Sequence, residues 1–354
     1  MLSVRDMSFD IERNEFYMQG QFSNISIEGI KAVVPPHVID NMQYAQILGE
    51  KRCKKQIRLT GIKQRRVSPP GQTSADLAYA AGNQLLDALG WDPATVDVLI
   101  FATQNPIFAV PSTAFFLQKR LGINKDCVVF DINLGCSAAM VGIQVVASLL
   151  QQGRPDARGL LIISDPVFEP GEVSPAQLAD QMLFGSAGAA VALQRTEGTA
   201  PCLAFRNCSD GERYRAIFRP IAGNAEMDGT AVFEFGINDV AEDIRCFRSS
   251  LGLQNDKIDY YVFHQAQALM LTAICNACDI LPEQELRSLE RFGNTNGSSI
   301  PVTLCAQERN IWSKEWASFL LCGFGVGLSW CSIYMTMNTK RIYPLSISDD
   351  IYKE

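Results

Sequence analysis

The stretch Asp131-Ile132-Asn133-Leu134-Gly135-Cys136-Ser137-Ala138-Ala139-Met140-Val141-Gly142 decides the fold. It has the pattern of a buried strand that ends in a glycine turn and is followed by a helix of small residues. Free backbone amides and the helix dipole stabilise negative charge at such a helix start. We therefore expect Cys136 to have a lowered thiol pKa and to act as a nucleophile. A small cysteine that is merely packed at a helix start would give the same local pattern.

On both sides of this stretch, β-branched and aromatic runs alternate with amphipathic segments, which is typical of a layered α/β protein. The predicted strands are Asn24–Val34, Val96–Thr103, Cys127–Ile132, Gly159–Asp165, Gly188–Gln194, Ile258–His264, Leu286–Arg291, Ser318–Gly323 and Leu328–Met337. The predicted helices are Ser74–Leu89, Ser112–Leu121, Ala138–Gln152, Asp239–Leu251, Ala266–Cys278 and Val302–Ile311.

The sequence contains an internal repeat. Leu89-Gly90 and the apolar run after it match Leu251-Gly252 and the run after that, at an offset of 162 residues. The same offset places Gly135-Cys136-Ser137 over Gly297-Ser298-Ser299. A single gapless register that joins a helix end, a strand and a later turn indicates a duplicated fold. We expect two similar halves that pack together, with their related loops meeting at the junction.

Three segments of the second half carry groups that could serve such a nucleophile. His264 ends a predicted strand, where side chains of α/β proteins project into crevices, although a structural histidine is an equally simple interpretation. Asn294 lies in a glycine- and amide-rich turn and offers an amide donor, or a helix cap. Gly323-Phe324-Gly325-Val326-Gly327 joins two predicted strands, either as a simple hairpin or as backbone that approaches a ligand closely. The only other histidine, His37, follows two prolines and is interpreted as structural or exposed.

Composition excludes several classes of function. A net charge of −7 gives no basic surface for nucleic acid. The eleven cysteines have irregular spacing and lie mostly in apolar runs, which predicts reduced thiols and a cytoplasmic protein. Residues 1–21 lack the apolar core of a signal peptide, and no apolar run is long enough to span a membrane. Cys275 and Cys278 have no second ligand pair, so no metal site is expected.

Taken together, these segments resemble β-ketoacyl-acyl-carrier-protein synthase III and its relatives in the thiolase superfamily, from about Ser23 to about Met337. The motifs that carry the resemblance are Leu59-Thr60-Gly61-Ile62 with Arg65-Arg66, Val110-Pro111-Ser112, Gly135-Cys136-Ser137-Ala138, Phe184-Gly185-Ser186-Ala187-Gly188-Ala189, Ser209-Asp210-Gly211, His264-Gln265-Ala266, Gly293-Asn294-Thr295 and Gly323-Phe324-Gly325-Val326-Gly327. Their order and spacing make the signal more specific than any single motif.

The resemblance implies a Cys-His-Asn site of Cys136, His264 and Asn294. It implies that an acyl thioester acylates the cysteine while the backbone amides of Cys136 and Val326 hold the oxyanion. A malonyl thioester would then lose carbon dioxide, with its carbonyl held by the histidine and the asparagine. The loop residues Phe324, Gly325 and Val326 would border this site, and Val110 would close the acyl pocket from across a dimer.

The chain departs from the family pattern at the positions that bind coenzyme A and the carrier protein. Lys55 and Leu59 stand where the family has a tryptophan and an arginine for coenzyme A. Gln267 and Leu269 replace an asparagine and a basic docking residue, and Glu234 replaces a docking lysine. An acidic carrier would therefore meet less positive charge at these positions.

The prediction for the whole chain is a duplicated, thiolase-like α-β-α-β-α fold. We divide it into an N-terminal extension (residues 1–21), a nucleophile half (22–196), a second half with the histidine and asparagine (197–340) and a tail (341–354). The predicted enzyme is a homodimer that needs no cofactor and uses acyl and malonyl thioesters of coenzyme A or a carrier protein. The alternatives are an acyltransferase that forms an ester or amide, and a non-catalytic partner subunit.

Overall fold

The structure is a computed structural model that describes residues 18–169, 178–179, 181–221 and 225–353. Its strands are β1 Met18–Phe22, β2 Ile25–Val34, β3 His37–Asp40, β4 Gln64–Val67, β5 Val96–Ala102, β6 Val128–Ile132, β7 Arg158–Asp165, β8 Ala187–Arg195, β9 Leu203–Ser209, β10 Ile217–Phe218, β11 Glu226–Met227, β12 Tyr260–Phe263, β13 Trp316–Gly325, β14 Ser329–Asn338 and β15 Ser346–Ile347. Its helices are α1 Ala45–Leu48, α2 Glu50–Thr60, α3 Ser74–Leu89, α4 Thr113–Leu121, α5 Ala138–Leu150, α6 Gly229–Phe235, α7 Ala241–Ser250, α8 Ala268–Ala277, α9 Leu289–Phe292 and α10 Ser299–Cys305.

Two mixed sheets form the framework of the described residues. The first has the strand order β15-β2-β8-β7-β5-β6, and the second has the order β1-β9-β14-β13-β12. Strands β5, β6 and β7 are parallel and nearly all apolar, as expected for strands covered on both faces. In the second sheet, β12 and β13 are parallel and β13 and β14 form a long antiparallel pair.

Helices and sheets alternate in layers. Helices α5 and α10 lie between the two sheets, and one apolar core contains Ala138 and Val146 from α5, Ile300 from α10 and inward-facing residues of both sheets. Helices α3 and α4 cover the outer face of the first sheet, and α7 and α8 cover the outer face of the second. This confirms the predicted α-β-α-β-α architecture and places the start of α5 at the centre of the molecule.

The internal repeat is a repeat of structure. Gly90 and Gly252 end helices α3 and α7 with φ angles of 65° and 64°. Short 3-10 turns follow at residues 93–95 and 255–257, again 162 positions apart. In each half an aspartate then accepts a backbone N–H from the neighbouring strand: Asp97 from Arg158 at 2.8 Å, and Asp259 from Ser318 at 2.9 Å.

Two short strands, one largely in the predicted extension and one in the predicted tail, pair with the two sheets. Strand β1 lies inside the predicted extension, yet it pairs with β9 in the second sheet. Strand β15 lies in the predicted tail, yet it pairs with β2 in the first sheet. Short segments at both ends are ordered because the edges of the two sheets offer unpaired backbone groups. Residues 1–17 of the extension lie outside the described residues, and the division into two halves stays a prediction.

Most predicted elements lie within a few residues of the observed ones, and one is wrong. Residues 286–291 were expected to form a strand, but Leu289–Phe292 is a short helix. Only an isolated bridge between Tyr261 and Glu285 continues the sheet there. Helix α2 was not predicted, although its residues form an amphipathic segment that ends at Gly61. In the part of the chain that the structure describes, no helix is both long and apolar enough to cross a membrane.

Candidate active site

Cys136 lies in the turn between β6 and α5. The turn closes when Ala138 N–H donates to the carbonyl of Gly135 at 2.9 Å, and α5 begins at Ala138. A Cβ on Gly135 would lie 2.9 Å from Oε1 of Gln104, so the flexible Gln104 side chain would have to move to admit one. Gln104 thus packs against the backbone just before Cys136, which is half-buried.

The end of strand β13 covers the cysteine sulfur. A Cβ on Gly325 would lie 2.7 Å from Cβ and 2.8 Å from Sγ of Cys136, so only glycine fits. A Cβ on Gly323 would lie 3.0 Å from the Cys136 carbonyl oxygen. The backbone amides of Val326 and of Cys136 itself act on the thiol to lower its pKa, against the larger effect of burial. These two amides are therefore the candidate donors for a group attached to the sulfur.

His264 follows the last residue of β12 and is 2% exposed. Its backbone N–H donates to the Cys322 carbonyl at 2.9 Å, and its Nδ1 lies 2.8 Å from the Ser299 hydroxyl at the start of α10. The ring meets Phe324 edge-on at a centroid distance of 5.6 Å. Burial lowers the pKa of His264 to about 3, against a backbone hydrogen bond with Asn296 that raises it. The imidazole is therefore neutral at pH 7.

Asn294 is fixed in the turn before α10. Its backbone N–H donates to the Leu183 carbonyl at 2.8 Å, and its own carbonyl accepts from Gly185 N–H at 2.9 Å. Its side-chain Oδ1 accepts from Asn296 N–H at 2.9 Å. The oxygen of the amide is thus engaged by the turn, which leaves the NH₂ group as the part able to donate to a ligand.

Adjacent contacts bring the three predicted side chains to one place. Cys136 packs against Gly325, the neighbouring Phe324 packs against His264, and His264 is hydrogen-bonded to Asn296, whose backbone is held by Asn294. The contacts between Cys136 and Gly325, between Phe324 and His264, and between His264 and Asn296 each join separate segments of the chain. The structure therefore brings Cys136, His264 and Asn294 into one region, and their catalytic roles stay a prediction.

The expected lowering of the Cys136 thiol pKa is wrong for this site. Burial raises the pKa of Cys136 to about 12, while the amide of Val326 opposes the shift and the Asp165 charge adds to it. The cost of removing a thiolate from water exceeds the stabilisation from the amides at the helix start. The resting site thus holds a neutral thiol beside a neutral imidazole.

Comparisons with known proteins point to one family. The "3-Oxoacyl-[acyl-carrier-protein (ACP)] synthase III" sequence family matches residues 130–211, and its C-terminal family matches residues 249–337. The β-ketoacyl-[acyl-carrier-protein] synthase III of Lactococcus lactis subsp. cremoris is 29% identical over 312 residues, which is 84% of this chain and 94% of that protein. The same enzyme of Staphylococcus haemolyticus is 29% identical over 309 residues, which is 87% of this chain and 97% of that protein.

A solved 3-oxoacyl-(acyl-carrier protein) synthase from Burkholderia xenovorans has a TM-score of 0.87 and 27% identity, covering 94% of this chain and 99% of that one. The chain is a ketoacyl synthase III-like enzyme of the thiolase superfamily. An OleA protein from Xanthomonas campestris shares the fold of this synthase-like chain, with a TM-score of 0.79, 20% identity and coverage of 90% of this chain and 99% of that one.

Asp165 is a residue of this synthase-like site that sequence reasoning missed. It ends strand β7, is 1% exposed, and its Oδ1 accepts from Gln104 N–H at 2.8 Å and from Asn105 Nδ2 at 2.9 Å. Its other oxygen has no hydrogen-bond partner among the described residues. Burial raises the pKa of Asp165 to about 6, although these hydrogen bonds lower it. An aspartate at the end of an otherwise apolar strand was the signal available in the sequence.

Val110 lies in the loop between β5 and α4 of this synthase-like chain, with 86% of its surface exposed. Phe108 in the same loop is 40% exposed. A single chain therefore places this predicted pocket residue at the surface, and its role in closing an acyl pocket across a dimer stays a prediction.

Proposed function

We propose that this chain transfers an acyl group from a thioester to Cys136 and then joins that group to a malonyl thioester by decarboxylative Claisen condensation. One observation carries the proposal: the α-carbon of Gly325, which has no side chain, lies against Cys136, and the adjacent Val326 amide acts on its thiol to lower the pKa. The similarity to β-ketoacyl-[acyl-carrier-protein] synthases III supports the same reaction.

In the first step the Cys136 sulfur attacks the thioester carbonyl. A new carbon–sulfur bond forms, the bond to the donor sulfur breaks, and the thiol proton passes to the leaving thiol, so no proton is gained or lost overall. The amides of Val326 and Cys136 stabilise the negative charge that develops on the carbonyl oxygen. Because this step exchanges one thioester for another, it needs no cofactor.

In the second step the malonyl group loses carbon dioxide, and the electron pair of the broken bond moves onto the adjacent thioester as an enolate. When the Ser299 hydroxyl donates to Nδ1 of His264, the proton of the neutral ring lies on Nε2. Nε2–H and the NH₂ group of Asn294 would then donate to the enolate oxygen. The carbanion attacks the acyl-cysteine carbonyl, a carbon–carbon bond forms, and Cys136 leaves as the thiolate.

This proposal favours condensation over simple acyl transfer to an oxygen or nitrogen nucleophile. Simple transfer needs the cysteine and the oxyanion donors, but it does not need an amide donor held to bind a malonyl carbonyl. Asn294 is held by three hydrogen bonds that orient such a donor. Ordering a buried asparagine in this way costs free energy that simple transfer would not require.

Mass spectrometry of the intact protein tests the proposal. Incubation with acyl-coenzyme A should add one acyl group, located on Cys136, and addition of a malonyl thioester should release it with one equivalent of carbon dioxide. Cys136→Ala should take up no acyl group. Asn294→Ala should be acylated but should condense at least about a hundredfold more slowly, the usual cost of losing one oxyanion donor. The absence of an adduct on the wild-type protein, or its release by an alcohol or amine instead of a malonyl thioester, would contradict the proposal.

We also propose that two copies of the chain associate through strand β6. This strand is an edge of the first sheet, its residues 128–132 are mostly apolar, and Val128 is 47% exposed. An apolar edge strand offers its backbone groups to a second copy. Pairing there would also cover residues near the exposed Val110 loop, which follows the neighbouring strand β5.

A further inference from the structure

Helix α2 carries a basic stripe made of Lys51, Lys54, Lys55 and Arg58. These residues have the spacing i, i+3, i+4 and i+7, so they lie on one face of the helix. All four are exposed, whereas Cys53 and Thr60 on the opposite face are buried. The eleven residues of α2 contain five basic residues and one acidic residue, in a chain whose net charge is −7.

The charge of the stripe is mostly uncompensated. Lys54 pairs with Glu50 at 2.5 Å on the solvent-exposed surface. Lys51, Lys55 and Arg58 form no ion pair with any residue that the structure describes. Four like charges at these spacings repel one another and disfavour the isolated helix. A partner of opposite charge would remove that repulsion.

The stripe lies beside helix α8, which begins four residues after His264. Gly61, which ends α2, contacts Ala268, the first residue of α8, so closely that a Cβ on Gly61 would lie 2.6 Å from the Ala268 Cβ. Ala268 is four residues after His264. Leu59 on α2 and Leu269 on α8 are 38% and 49% exposed. Basic residues therefore flank two exposed leucines on the pair of helices next to the site.

We propose that this basic stripe, with Leu59 and Leu269, is the surface on which an acidic carrier protein docks to deliver its thioester. The inference rests on the proposed function and specifies where its partner binds. Helix α8 itself provides no cation at Gln267 or Leu269, and Glu234 would repel an acidic partner. Arginine and lysine residues that meet a complementary surface speed encounter and fix orientation, while apolar contacts at the centre provide affinity.

The extent of the stripe favours a protein over the phosphates of coenzyme A. Lys51 and Arg58 are seven residues apart, which corresponds to about 10 Å along a helix axis. Positive charge spread over two helical turns suits an extended acidic surface better than one compact group. A surface pocket of about 550 Å³ adjoins the stripe and is lined by Lys54, Arg58 and Lys63, but also by Asp40 and Glu290. Glu290 is paired with Lys63 there, so the pocket offers little net positive charge to a compact polyphosphate.

Charge reversal at the two ends of the stripe tests the proposal. We expect Lys51→Glu with Arg58→Glu to raise the KM for a malonylated acidic carrier protein by about tenfold or more, with kcat unchanged. The dissociation constant for the holo-carrier, measured by fluorescence anisotropy, should rise by a similar factor. Higher salt should weaken carrier binding by the wild-type protein but hardly affect carrier binding by the variant. Acylation of Cys136 by an acyl-N-acetylcysteamine thioester, which has neither carrier nor nucleotide, should proceed at the wild-type rate.

The matched control is Lys125→Glu with Lys257→Glu, which makes the same change in net charge at two exposed lysines outside α2. It should bind the carrier as the wild type does. Equal KM and binding constants for the stripe variant and the control would overturn the proposal. It would also be overturned if the stripe variant lost only its affinity for acyl-coenzyme A. Failure of Cys136 to be acylated by any donor would instead refute the proposed function, and the binding measurement separates the two cases.

Discussion

At the residue scale, burial controls the chemistry of the site more than net charge does. The Cys136 thiol and the His264 imidazole are both held in their neutral forms by desolvation. Gly325 allows the two amide donors to approach the sulfur because it has no side chain. In the proposed reaction, Cys136 is thus protonated until substrate arrives, and the amides of Val326 and Cys136 are the donors for the oxyanion.

Gly325→Ala should abolish acylation of Cys136. The added methyl group would lie 2.7 Å from Cβ and 2.8 Å from Sγ of the cysteine, so the cysteine or the strand must move. Movement of about 1 Å at a nucleophile costs roughly a hundredfold or more in rate. The measurement is the rate of Cys136 acylation, followed by mass spectrometry. A thermal unfolding curve of the same variant shows whether the fold is retained. Gly198→Ala is the control, because a Cβ there meets nothing within 4 Å. A Gly325→Ala enzyme as active as this control would contradict the prediction.

Asp165→Asn should stabilise the protein at pH 7. Burial raises the pKa of Asp165 from 3.8 to about 6, so its charge costs free energy once the folded carboxyl ionises. A group with a raised folded pKa stabilises the fold below its unfolded pKa, and this contribution is lost as pH rises through the folded value. Asparagine can keep the oxygen that accepts from Gln104 and Asn105. The free energy of unfolding should therefore rise at pH 7, by up to about 3 kcal/mol, with no gain near pH 3.5.

Asp259→Asn is the contrasting control for this experiment. Burial opposes ionisation of Asp259, but hydrogen bonds from Lys314 and Ser318 outweigh it and hold its pKa below the usual range. A depressed pKa contributes stability above the unfolded pKa, which is lost as pH falls through the folded value. The control variant should therefore be less stable than the wild type at pH 7. The measurement is denaturant unfolding of both variants across pH. If the free energy of unfolding at pH 7 changed in the same direction for both variants, the opposite pKa shifts of Asp165 and Asp259 would be refuted.

At the scale of elements, the last residues of the chain attach helices α3 and α4 to each other. Arg120 on α4 pairs with Asp76 on α3 at 2.7 Å and with Asp350 at 3.0 Å. Its guanidinium lies 4.8 Å from the centre of the Tyr352 ring, and Tyr352 N–H donates to Asp76. This contact explains why the predicted tail belongs to the fold: it covers a buried ion pair that would otherwise face water.

Removal of residues 350–354 should lower the thermal midpoint by about 2–5 °C, corresponding to roughly 1–2 kcal/mol. The truncation removes the partly exposed Arg120–Asp350 ion pair, the hydrogen bonds of Asp350 with Gln72 and of Tyr352 with Asp76, and the ring contacts of Tyr352 with Arg120 and Phe116. It leaves the buried Arg120–Asp76 pair in place. Asp350→Asn alone should cost less, because Asp350 is partly exposed. Differential scanning calorimetry of the truncated protein, the point variant and the wild type provides the test. An unchanged midpoint after truncation would show that the tail contact carries no stability.

At the scale of the whole molecule, the first sheet has two different edges. One edge is β15, a two-residue strand formed by the C-terminal segment, and the other is the longer, mostly apolar β6. Short edge strands discourage pairing with a second chain, whereas long apolar ones invite it. The asymmetry favours association through β6 and leaves β15 at the surface.

Val128→Lys should therefore convert a dimer into a monomer. A lysine on an edge strand disfavours strand pairing because its charge must be buried against the second copy. Ile347→Lys is the matched control at the opposite edge, where the side chain is 58% exposed and Val128 is 47% exposed. Light scattering coupled to size exclusion should report a halved mass for the first variant only. A monomeric wild type, or two dimeric variants, would refute the β6 interface.

Sequence reasoning predicted the fold well because the alternation of strands and helices is expressed in local patterns, whereas the roles of the candidate residues stay predictions. Helix α3 has the predicted bounds, since its amphipathic run begins at a Thr73 cap and ends at Gly90. The short helix at residues 289–292 was mistaken for a strand because four residues are too few to establish a period. Asp165 was missed because an aspartate at a strand end looks like an ordinary turn residue until its surroundings are known.

The sequence by itself determined the alternation of strands and helices, the duplication, and which cysteine, histidine and asparagine to examine, because spacing and residue type are local properties. Only the tertiary structure decided that Gly325 lies against Cys136, that burial raises the Cys136 thiol pKa, and that the chain ends cross between sheets. These properties depend on the distances between residues far apart in the chain and on the desolvation of buried side chains, and a local sequence pattern determines neither.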